Sequence, residues 1–491
     1  MKTDIVINIH FSHYFRVAPA LLEAAGAFNV SLINDLPLFI DPFLLFNSKK
    51  QEYQALHDQM IRYLRFLRDK STQGAVTEGL LKAWFTFSEV KQTWLGFSRV
   101  GNDGRGLGSD FAHALNQNLY TVFSSFGSEE VTQGSHLEKL CLIREGVGRD
   151  NISDFTTNLI KEYLLEYTQD FARKHIRPEL RRNVVVGRVR FNYSTETWES
   201  DTYDLPFFNG DYVLLTPKDI LAKDEIWINK NDLVNDYNQI AESIPNDQLR
   251  DQVNNYFLQV LPEKPTIRDW RAAVNSVLRK FPELVEYYIR YKEDNGDRAV
   301  SISEEKVAES ELLYVQQIRE FAATLLQTTD FYQLAGNTPD EVRARVDFLK
   351  DVIENKGGHR LFYVGGVPIR REEDLHILFR LTWFATPSDV SREVNDGRGP
   401  ADFKISRGSL DKTIVEFKLA SNTQLKRNLE KQAAIYQKAS DAKHGFKVIV
   451  FFSQEEYERV ISILRDLKLE GRKDVVLIDA RDENKPSASK A

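Results

Sequence analysis

The chain has 491 residues but a single cysteine, Cys141, and only two methionines. One cysteine excludes an intrachain disulfide framework and any cysteine-rich zinc site. No apolar run approaches the roughly 20 residues that a membrane-spanning helix requires. The opening, MKTDIVINIHF, lacks a basic segment, a long apolar segment and a small-residue cleavage site, so no secretory signal is expected. These absences predict a cytoplasmic protein with no membrane partner.

Charge and hydrophobicity are ordinary for a globular protein, with 28% charged and 42% hydrophobic residues. The net charge of −7 argues against a surface that wraps nucleic acid indiscriminately. The charge is uneven, because residues 359–453 carry 16 Lys/Arg against 11 Asp/Glu. A phosphate-binding domain on an acidic chain would show this asymmetry, although a bias of this size also arises by chance.

The length predicts two to four domains. We expect an N-terminal α/β region of unknown role, a strand-containing middle region followed by helices, a helical connector, a C-terminal domain and a disordered tail; their bounds are 1–180, 181–300, 301–357, 358–481 and 482–491. The pair Gly357-Gly358 marks the clearest boundary. The expected fold class is α/β (α+β overall), with a C-terminal mixed β-sheet flanked by helices after a large, mostly helical N-terminal region with some strands.

Hydrophobic periodicity assigns the elements before the C-terminal domain. Strands are predicted over 4–10, 183–193 and 210–217, and helices over 51–68, 79–93, 111–126, 151–176, 230–292, 304–328 and 338–355. A glycine-rich segment, 100–110, precedes one of these helices and could cradle phosphate. It lacks the spacing of a phosphate-binding loop, which favours a plain connection.

Two strand-like segments near the C-terminal end contain the candidate catalytic residues. Asp402 lies in PADFKIS, and Glu416 and Lys418 lie in TIVEFKLA. Strand alternation places Glu416 and Lys418 on one face and the neighbouring apolar residues on the other. If the two segments pair as a hairpin, Asp402 projects beside them.

Two carboxylates brought this close repel each other, and a divalent cation between them removes the repulsion. Oxygen ligands with open water positions suit Mg²⁺ or Mn²⁺, which would polarise a phosphoryl oxygen and activate a water. Lys418 would orient that water or stabilise charge on the phosphate. The alternative is a surface hairpin with a cross-strand salt bridge, worth about 0–1 kcal/mol.

The elements around the motif alternate as in a mixed sheet covered by helices. Helices are predicted over 372–383, 423–439 and 454–467, and strands over 389–394, 446–452 and 474–479. Glu393, nine residues before Asp402, could add a carboxylate to the metal shell, and Glu373 is a weaker candidate. Gly397 and Gly399 would permit a tight turn between the segments.

The helix after the motif places Leu425, Leu429, Gln432 and Tyr436 in one stripe that faces the sheet. A buried Gln432 amide needs a partner, which a metal-bound phosphate would supply, although the residue could equally lie at the edge of the stripe. The flanking and neighbouring basic residues could contact a nucleic-acid backbone or form a solvated face; these are Lys404, Lys426, Arg427 and Lys431.

GPADF followed by EFK fourteen residues after the aspartate resembles the PD-(D/E)XK nuclease superfamily. The segment QAAIY is similar to the Q-x-x-x-Y motif of its helicase-associated and recombination exonucleases, while P-A-D departs from the usual P-D. The resemblance covers residues 360–480 and implies the restriction-endonuclease-like core of helix, three strands, helix, strand. It also implies Mg²⁺-dependent phosphodiester hydrolysis.

The resemblance also implies the roles of individual residues. Asp402, Glu416 and the carbonyl of Phe417 would bind the metal, Lys418 would be the catalytic lysine, and Gln432 and Tyr436 would support the site. Chains that join such a domain to a large N-terminal region resemble bacterial restriction and anti-phage defence proteins. DNA is the favoured substrate over RNA, and a homodimer or a partner subunit bound through the N-terminal region is expected.

Two other interpretations remain open on the sequence. A protein could keep this fold as a nucleic-acid-binding scaffold without catalysis, although Glu416 and Lys418 are both retained. The histidines could bind zinc, but no H-x-x-x-H pair occurs, so structural roles are favoured for His10, His13, His359 and His376. We expect a metal-dependent nuclease.

Overall fold

The structure is a computed structural model of the chain. It describes residues 9–33, 35–72, 74, 76–96, 108–123, 126–143, 147–333, 336–383, 386, 388–395, 400–407, 411–436 and 444–485. For some of these it describes the backbone alone; they include 391–395, 400–401 and 431–436. Most of the predicted first strand, 4–8, and of the glycine-rich segment, 100–107, lies outside the described residues.

The N-terminal part is mostly helical, as predicted, and its short strands lie between helices. Its first elements are α1 (Phe11–Tyr14), α2 (Pro19–Ala25), β1 (Leu38–Ile40), α3 (Pro42–Phe46), α4 (Gln51–Thr72), α5 (Glu78–Trp84), α6 (Ser109–Val122), α7 (Lys139–Ile143), α8 (Arg149–Leu159) and α9 (Lys161–His175). The helix predicted over 151–176 is therefore two helices, because the backbone leaves helical geometry at Ile160, where ψ is 13°. The helix predicted over 79–93 stops at Trp84, whose carbonyl accepts a hydrogen bond from Tyr63.

A long antiparallel hairpin follows and continues into short elements. The strands are β2 (Arg181–Asn192), β3 (Thr197–Phe208), β4 (Asp211–Tyr212) and β5 (Leu221–Lys223). The prediction of a strand over 210–217 is wrong beyond Tyr212, because Leu214 N–H bonds to Gln92 and leaves the sheet. β3 was not predicted, since its acidic residues resemble a turn. Arg190 on β2 pairs with two of them, Glu199 and Asp201.

The helical stretch predicted over 230–292 is confirmed as a set of separate helices. Within that range they are α10 (Lys230–Asn235), α11 (Tyr237–Glu242), α12 (Asp247–Val260), α13 (Ile267–Lys280) and α14 (Leu284–Asp294). The helices predicted over 304–328 and 338–355 follow as α15 (Gly296–Glu311), α16 (Ile318–Thr328) and α17 (Thr338–Asn355). A π-helical turn, Leu312–Gln317, joins α15 to α16 without a loop. In that turn, Tyr314 donates a buried hydrogen bond to Asp374.

The C-terminal region contains a five-stranded mixed sheet, as predicted. Its elements are β6 (Tyr363–Val364), β7 (Val367–Pro368), α18 (Glu372–Thr382), β8 (Asp389–Asn395), β9 (Pro400–Arg407), β10 (Asp411–Leu419), α19 (Leu425–Tyr436), β11 (His444–Phe451), α20 (Gln454–Asp466) and β12 (Val475–Asp479). The strand order is β12-β11-β10-β9-β8. Strands β8, β9 and β10 are antiparallel neighbours. Strands β10, β11 and β12 are parallel neighbours, and α19 and α20 lie between them in sequence.

Alternate residues of β11 pack on opposite sides of this sheet. Val448 and Val450 join the large core that includes α16, α17 and α18. Ile449 and Phe451 join a smaller core formed with α19 and α20. The sheet is therefore covered by helices on both faces, and β9 and β10 run between them.

Helix α17 belongs to the layer that covers this sheet, although the sequence placed it in a connector. Its first turn is fixed by Asn337, whose side chain accepts from Asp340 N–H. Its last turn is followed by Gly357 at φ +79°, a conformation that favours glycine. The helix packs on β9, β10, β11 and β12. The core is thus continuous across position 357.

Among the described residues, no helix combines the length and the apolar character that crossing a bilayer requires.

Candidate functional site

The register of β9 and β10 brings the predicted carboxylates together. The strands pair antiparallel from Asp411↔Arg407 to Val415↔Phe403, as the hairpin prediction required. Asp402 and Glu416 are the next residues beyond the last pair, so they lie side by side. Phe403 and Val415 enter the core on the opposite face. The apolar residues thus anchor the hairpin and leave the carboxylates on its other face.

Asp402 is the centre of a small charged cluster. Its Oδ2 accepts from Phe417 N–H at 2.8 Å and from Lys418 Nζ at 3.2 Å. His376 Nε2 on α18 lies 3.2 Å from the same oxygen. Burial would raise the pKa of Asp402, but the bond and charge of His376, then Lys418 and the Phe417 amide, hold that pKa below its usual range. Asp402 is therefore an anion.

Lys418 joins the strands to helix α18. Besides Asp402, its Nζ lies 3.3 Å from Oε2 of Glu372 in the first helical turn. Burial disfavours the ammonium ion, yet the charges of Asp402, Glu372 and Glu416 outweigh burial and raise the pKa of Lys418. The side chain is only 9% exposed, so this cation is held in place by anions.

Glu416 is almost fully buried, at 2% exposure, and its Oε2 has no hydrogen-bond partner in the described part of the chain. Burial and the neighbouring Asp402 charge raise the pKa of Glu416 to about 8. Lys418 and Lys447 oppose that shift without cancelling it. A buried carboxylate with an unpaired oxygen is costly unless a cation approaches it.

The sequence interpretation missed Glu372. It named Glu373 as the candidate on this helix, but Glu373 is exposed, whereas Glu372 contacts Lys418. Glu372 also accepts from Asn422 Nδ2 at 2.7 Å. Asn422 lies in the turn after β10, so the carboxylate ties that turn to α18. Only the rotation of the helix about its axis distinguishes the two glutamates, and the sequence does not give that rotation.

Two further residues at the site were not predicted as functional. His376, expected to be structural, lies one turn beyond Glu372 and faces the same cluster. Lys447 on β11 is the Cα partner of Glu416 and is 7% exposed. The pairing of parallel β11 beside β10 brings this lysine to the site. The sequence signal that could have identified Lys447 is a basic residue in an otherwise apolar strand.

Phe417 is described in full, whereas four other predicted residues are described by their backbone alone. Phe417 lies between Glu416 and Lys418, and its ring packs 4.2 Å from that of Phe379. Glu393 lies in β8, whose residues 391–395 are described by backbone alone. Gln432, Tyr436 and Lys431 lie in α19, but their side chains are outside the described residues. Leu425 and Leu429 are buried against the sheet, so the first half of the predicted stripe is found.

The predicted basic residues whose side chains are described lie on two elements, β9 and α19. Lys404 is half-buried on β9, opposite Ile414. Lys426 and Arg427 are exposed on α19, and Lys426 Nζ pairs with Asp466 at 2.7 Å. Lys426 and Arg427 thus lie on the solvent side of α19.

Asp402 and Glu416 are the candidate ligands for a divalent cation. Among the described residues, no three His, Cys, Asp or Glu side chains form a metal-binding group. A Mg²⁺ site needs fewer protein ligands, because this ion retains several waters. Asp402 is ionised and Glu416 has an unpaired buried oxygen, so two adjacent carboxylates fit such an ion.

His359, the other histidine of this region, has a different role. Its Nε2 lies 3.0 Å from Asp482 Oδ1, beyond the end of β12. Burial lowers the pKa of His359 more than Asp482 raises it. The contact ties the turn before β6 to the residues after the sheet. The structural role favoured by the sequence fits these contacts.

Comparison with known proteins gives two family matches. A domain of unknown function (DUF8370) matches residues 16–229, and a second domain of unknown function (DUF8371) matches residues 338–454. The second match begins at the first residue of α17 and includes Asp402, Glu416 and Lys418. No curated protein and no solved structure matches the chain significantly.

Proposed function

We propose that the C-terminal unit is a Mg²⁺- or Mn²⁺-dependent nuclease with a restriction-endonuclease-like core. The observation that carries this proposal is that Asp402 lies beside Glu416 and Lys418, and that the buried Oε2 of Glu416 has no hydrogen-bond partner among the described residues. The element order α18, β8, β9, β10, α19, β11 is the order helix, three strands, helix, strand that the motif resemblance implies, and this order supports the proposal. Asp402 lies on the second of these strands and Glu416 on the third.

Each residue of the site would have a separate role in this reaction. Asp402 and Glu416 would hold the cation, which when bound lowers the pKa of a coordinated water and polarises a phosphoryl oxygen. Lys418 would position the attacking water or stabilise charge on the phosphate. Glu372 and His376 hold Lys418 and Asp402 in place. This constellation suits hydrolysis of a phosphodiester.

We further propose DNA as the substrate over RNA, with a role in restriction or phage defence. Exposed Lys426 and Arg427 on α19 offer contacts to a nucleic-acid backbone. The separate N-terminal match leaves a large region for recognising a substrate or a partner. A homodimer would bring two sites to one duplex.

The test is a cleavage panel with the full-length chain. Plasmid, single-stranded DNA and RNA are incubated with Mg²⁺, Mn²⁺ or EDTA. We expect metal-dependent cutting, lowered by about 10²-fold or more in Asp402→Asn and Lys418→Ala. Lys473→Ala, which removes an exposed lysine elsewhere in the unit, should cut normally.

Two outcomes would contradict the proposal. Nucleic acid that is bound but never cut would favour the scaffold alternative. Cutting that survives in Asp402→Asn and Lys418→Ala would place the activity elsewhere or in a contaminant. Melting temperatures of all variants show whether lost cutting reflects lost folding.

A further inference from the structure

A cavity of about 720 Å³ lies in the N-terminal part, and the nuclease proposal does not use it. Four helices and one short turn form its walls: α2, α4, α9, α15 and the 3₁₀ turn Lys218–Ile220. Its volume falls within the range of pockets that bind small molecules. A cavity of this size between packed helices is a candidate binding site.

Charge of one sign dominates the lining. Seven carboxylates and only two lysines line the cavity; the acids are Glu23, Glu52, Glu166, Asp170, Asp219, Glu304 and Glu311. A cleft lined mainly by one sign concentrates ions of the opposite sign. The cavity therefore favours a cation.

The two lysines show how this cavity holds an ammonium group. Lys50 Nζ lies 2.6 Å from Asp219 Oδ2 and 4.5 Å from the centre of the Tyr53 ring. Lys218 Nζ is held between Glu23 and Glu311, 2.6 Å from the latter. Each is a primary ammonium on a four-carbon aliphatic chain. Alkylammonium groups of the protein itself therefore pair with three of the seven carboxylates in the lining.

Four carboxylates of the lining are exposed to solvent and form no ion pair in the part of the chain that the structure describes; they are Glu52, Glu166, Asp170 and Glu304. Burial, Glu162 and Asp170 raise the pKa of Glu166, so like charges are crowded at this wall. Such crowding is relieved by a bound cation.

Tyrosine rings supply the apolar part of the wall. Tyr163 and Tyr167 stack with ring centres 6.0 Å apart and planes 19° apart. Tyr53 meets Tyr163 edge-on at 6.0 Å. Aromatic faces attract cations and also pack against methylene groups. Carboxylates alternating with rings match a ligand in which ammonium groups alternate with short alkyl chains.

We propose that this cavity binds a linear aliphatic polyamine. Its ammonium groups would meet Glu52, Glu166, Asp170 and Glu304, and its methylene chain would lie along the tyrosine rings. A bare metal ion is a poorer fit, because no three acidic or histidine side chains among the described residues form a metal-binding group. Recognition would need no nucleic acid, so this proposal is independent of the nuclease assignment.

The test is calorimetric titration of the full chain with spermidine at about 0.15 M salt, without nucleic acid or divalent metal. Glu166→Gln/Asp170→Asn should weaken binding about tenfold. Glu242→Gln/Asp251→Asn removes the same charges from exposed positions outside the cavity and should change binding less than about twofold. Putrescine, with one ammonium fewer, should bind more weakly.

A second pair of variants tests the ring wall without changing charge. Tyr163→Leu should weaken spermidine binding several-fold, whereas Tyr163→Phe keeps the ring and should bind nearly as well as wild type. Melting temperatures of both variants identify any loss caused by misfolding.

Three outcomes would overturn the proposal. Spermidine that fails to bind below about 1 mM excludes a specific site. Equal weakening in the cavity and control double variants would show general attraction to an acidic surface. Tighter binding of an oligolysine peptide, lost in the cavity variant, would identify a basic peptide as the occupant instead.

Discussion

The ammonium group of Lys418 lies 3.2 Å from Oδ2 of Asp402 and 3.3 Å from Oε2 of Glu372. One buried cation therefore joins β9, β10 and α18. Glu416 lies beside these groups, so three acidic side chains surround the ammonium group of Lys418.

Replacing Lys418 by methionine should destabilise the protein by about 3 kcal/mol in EDTA, because buried carboxylates lose their cation. Mg²⁺ should raise the melting temperature of Lys418→Met more than that of wild type, since the variant site is more anionic. Denaturant unfolding and thermal melts measure both effects. Lys473→Ala should stay within about 0.5 kcal/mol of wild type. A Mg²⁺ effect that is equal in all three proteins would contradict a site at Asp402.

Two adjacent glutamates provide a matched comparison. Glu372→Ala should lose about 1–2 kcal/mol, because Lys418 and Asn422 lose an acceptor. Glu373→Ala removes an exposed side chain from the same turn and should change stability by less than about 0.5 kcal/mol. Urea unfolding of both variants measures the two losses in the free energy of unfolding. Equal losses would mean that the helix is rotated differently about its axis.

A buried acid in the N-terminal part predicts a pH dependence. Glu138 is fully buried and both of its oxygens lack hydrogen-bond partners among the described side chains. Burial, then Asp41 and Glu293, raise the pKa of Glu138 well above 4.5. His136 Nδ1 lies 3.9 Å away, and the Cys141 thiol donates to the Glu138 carbonyl.

Because the folded protein holds this proton more tightly than the unfolded chain, the contribution of Glu138 is fully present below pH 4.5. It is lost as the pH rises toward the raised pKa. Glu138→Gln should therefore gain stability relative to wild type above pH 4.5, by up to about 1.4 kcal/mol per pH unit. Urea unfolding from pH 4 to 8 measures the difference. A constant difference across this range would refute the buried-acid assignment.

Tyr314→Phe should destabilise the protein by about 1–2 kcal/mol, because Asp374 loses a buried donor. Arg371 still bonds to Asp374 at 2.8 Å, so the carboxylate keeps its charge partner. Hydrogen exchange should rise in α18, which carries Glu372 and His376. Tyr457→Phe, at a 37% exposed position, should leave both measurements unchanged. Faster exchange in both variants would indicate a general effect of the substitution.

The C-terminal elements could be predicted closely from sequence. Helix 372–383 and strand 389–394 were expected and are found as Glu372–Thr382 and Asp389–Asn395. Apolar residues recur there at regular spacing, and the spacing distinguishes helix from strand. Alternation predicted which residues of β9 and β10 share a face, and the hairpin assumed for that interpretation is found.

Contacts between distant segments could not be predicted in the same way. Lys447 reaches Glu416 only because β11 pairs beside β10 in one register. β3 is defined by its ladder with β2, in which Arg190 lies opposite Glu199, and no local pattern reveals that partner strand. The cavity gathers side chains from residues 23 to 311, so its charge is visible only after folding.

The π-helical turn Leu312–Gln317 has a consequence for how this chain tolerates a change in length. Such a turn accommodates one residue more than an α-helical turn. Deleting the exposed Gln316 would let α15 and α16 merge into an unbroken α-helix, and α16 would keep nearly its present rotation because the wider π turn absorbs the extra residue. A shorter chain at this position would therefore gain local regularity while the apolar face of α16 still meets its neighbours. One residue can be lost at this turn without changing which faces the two helices present to the core.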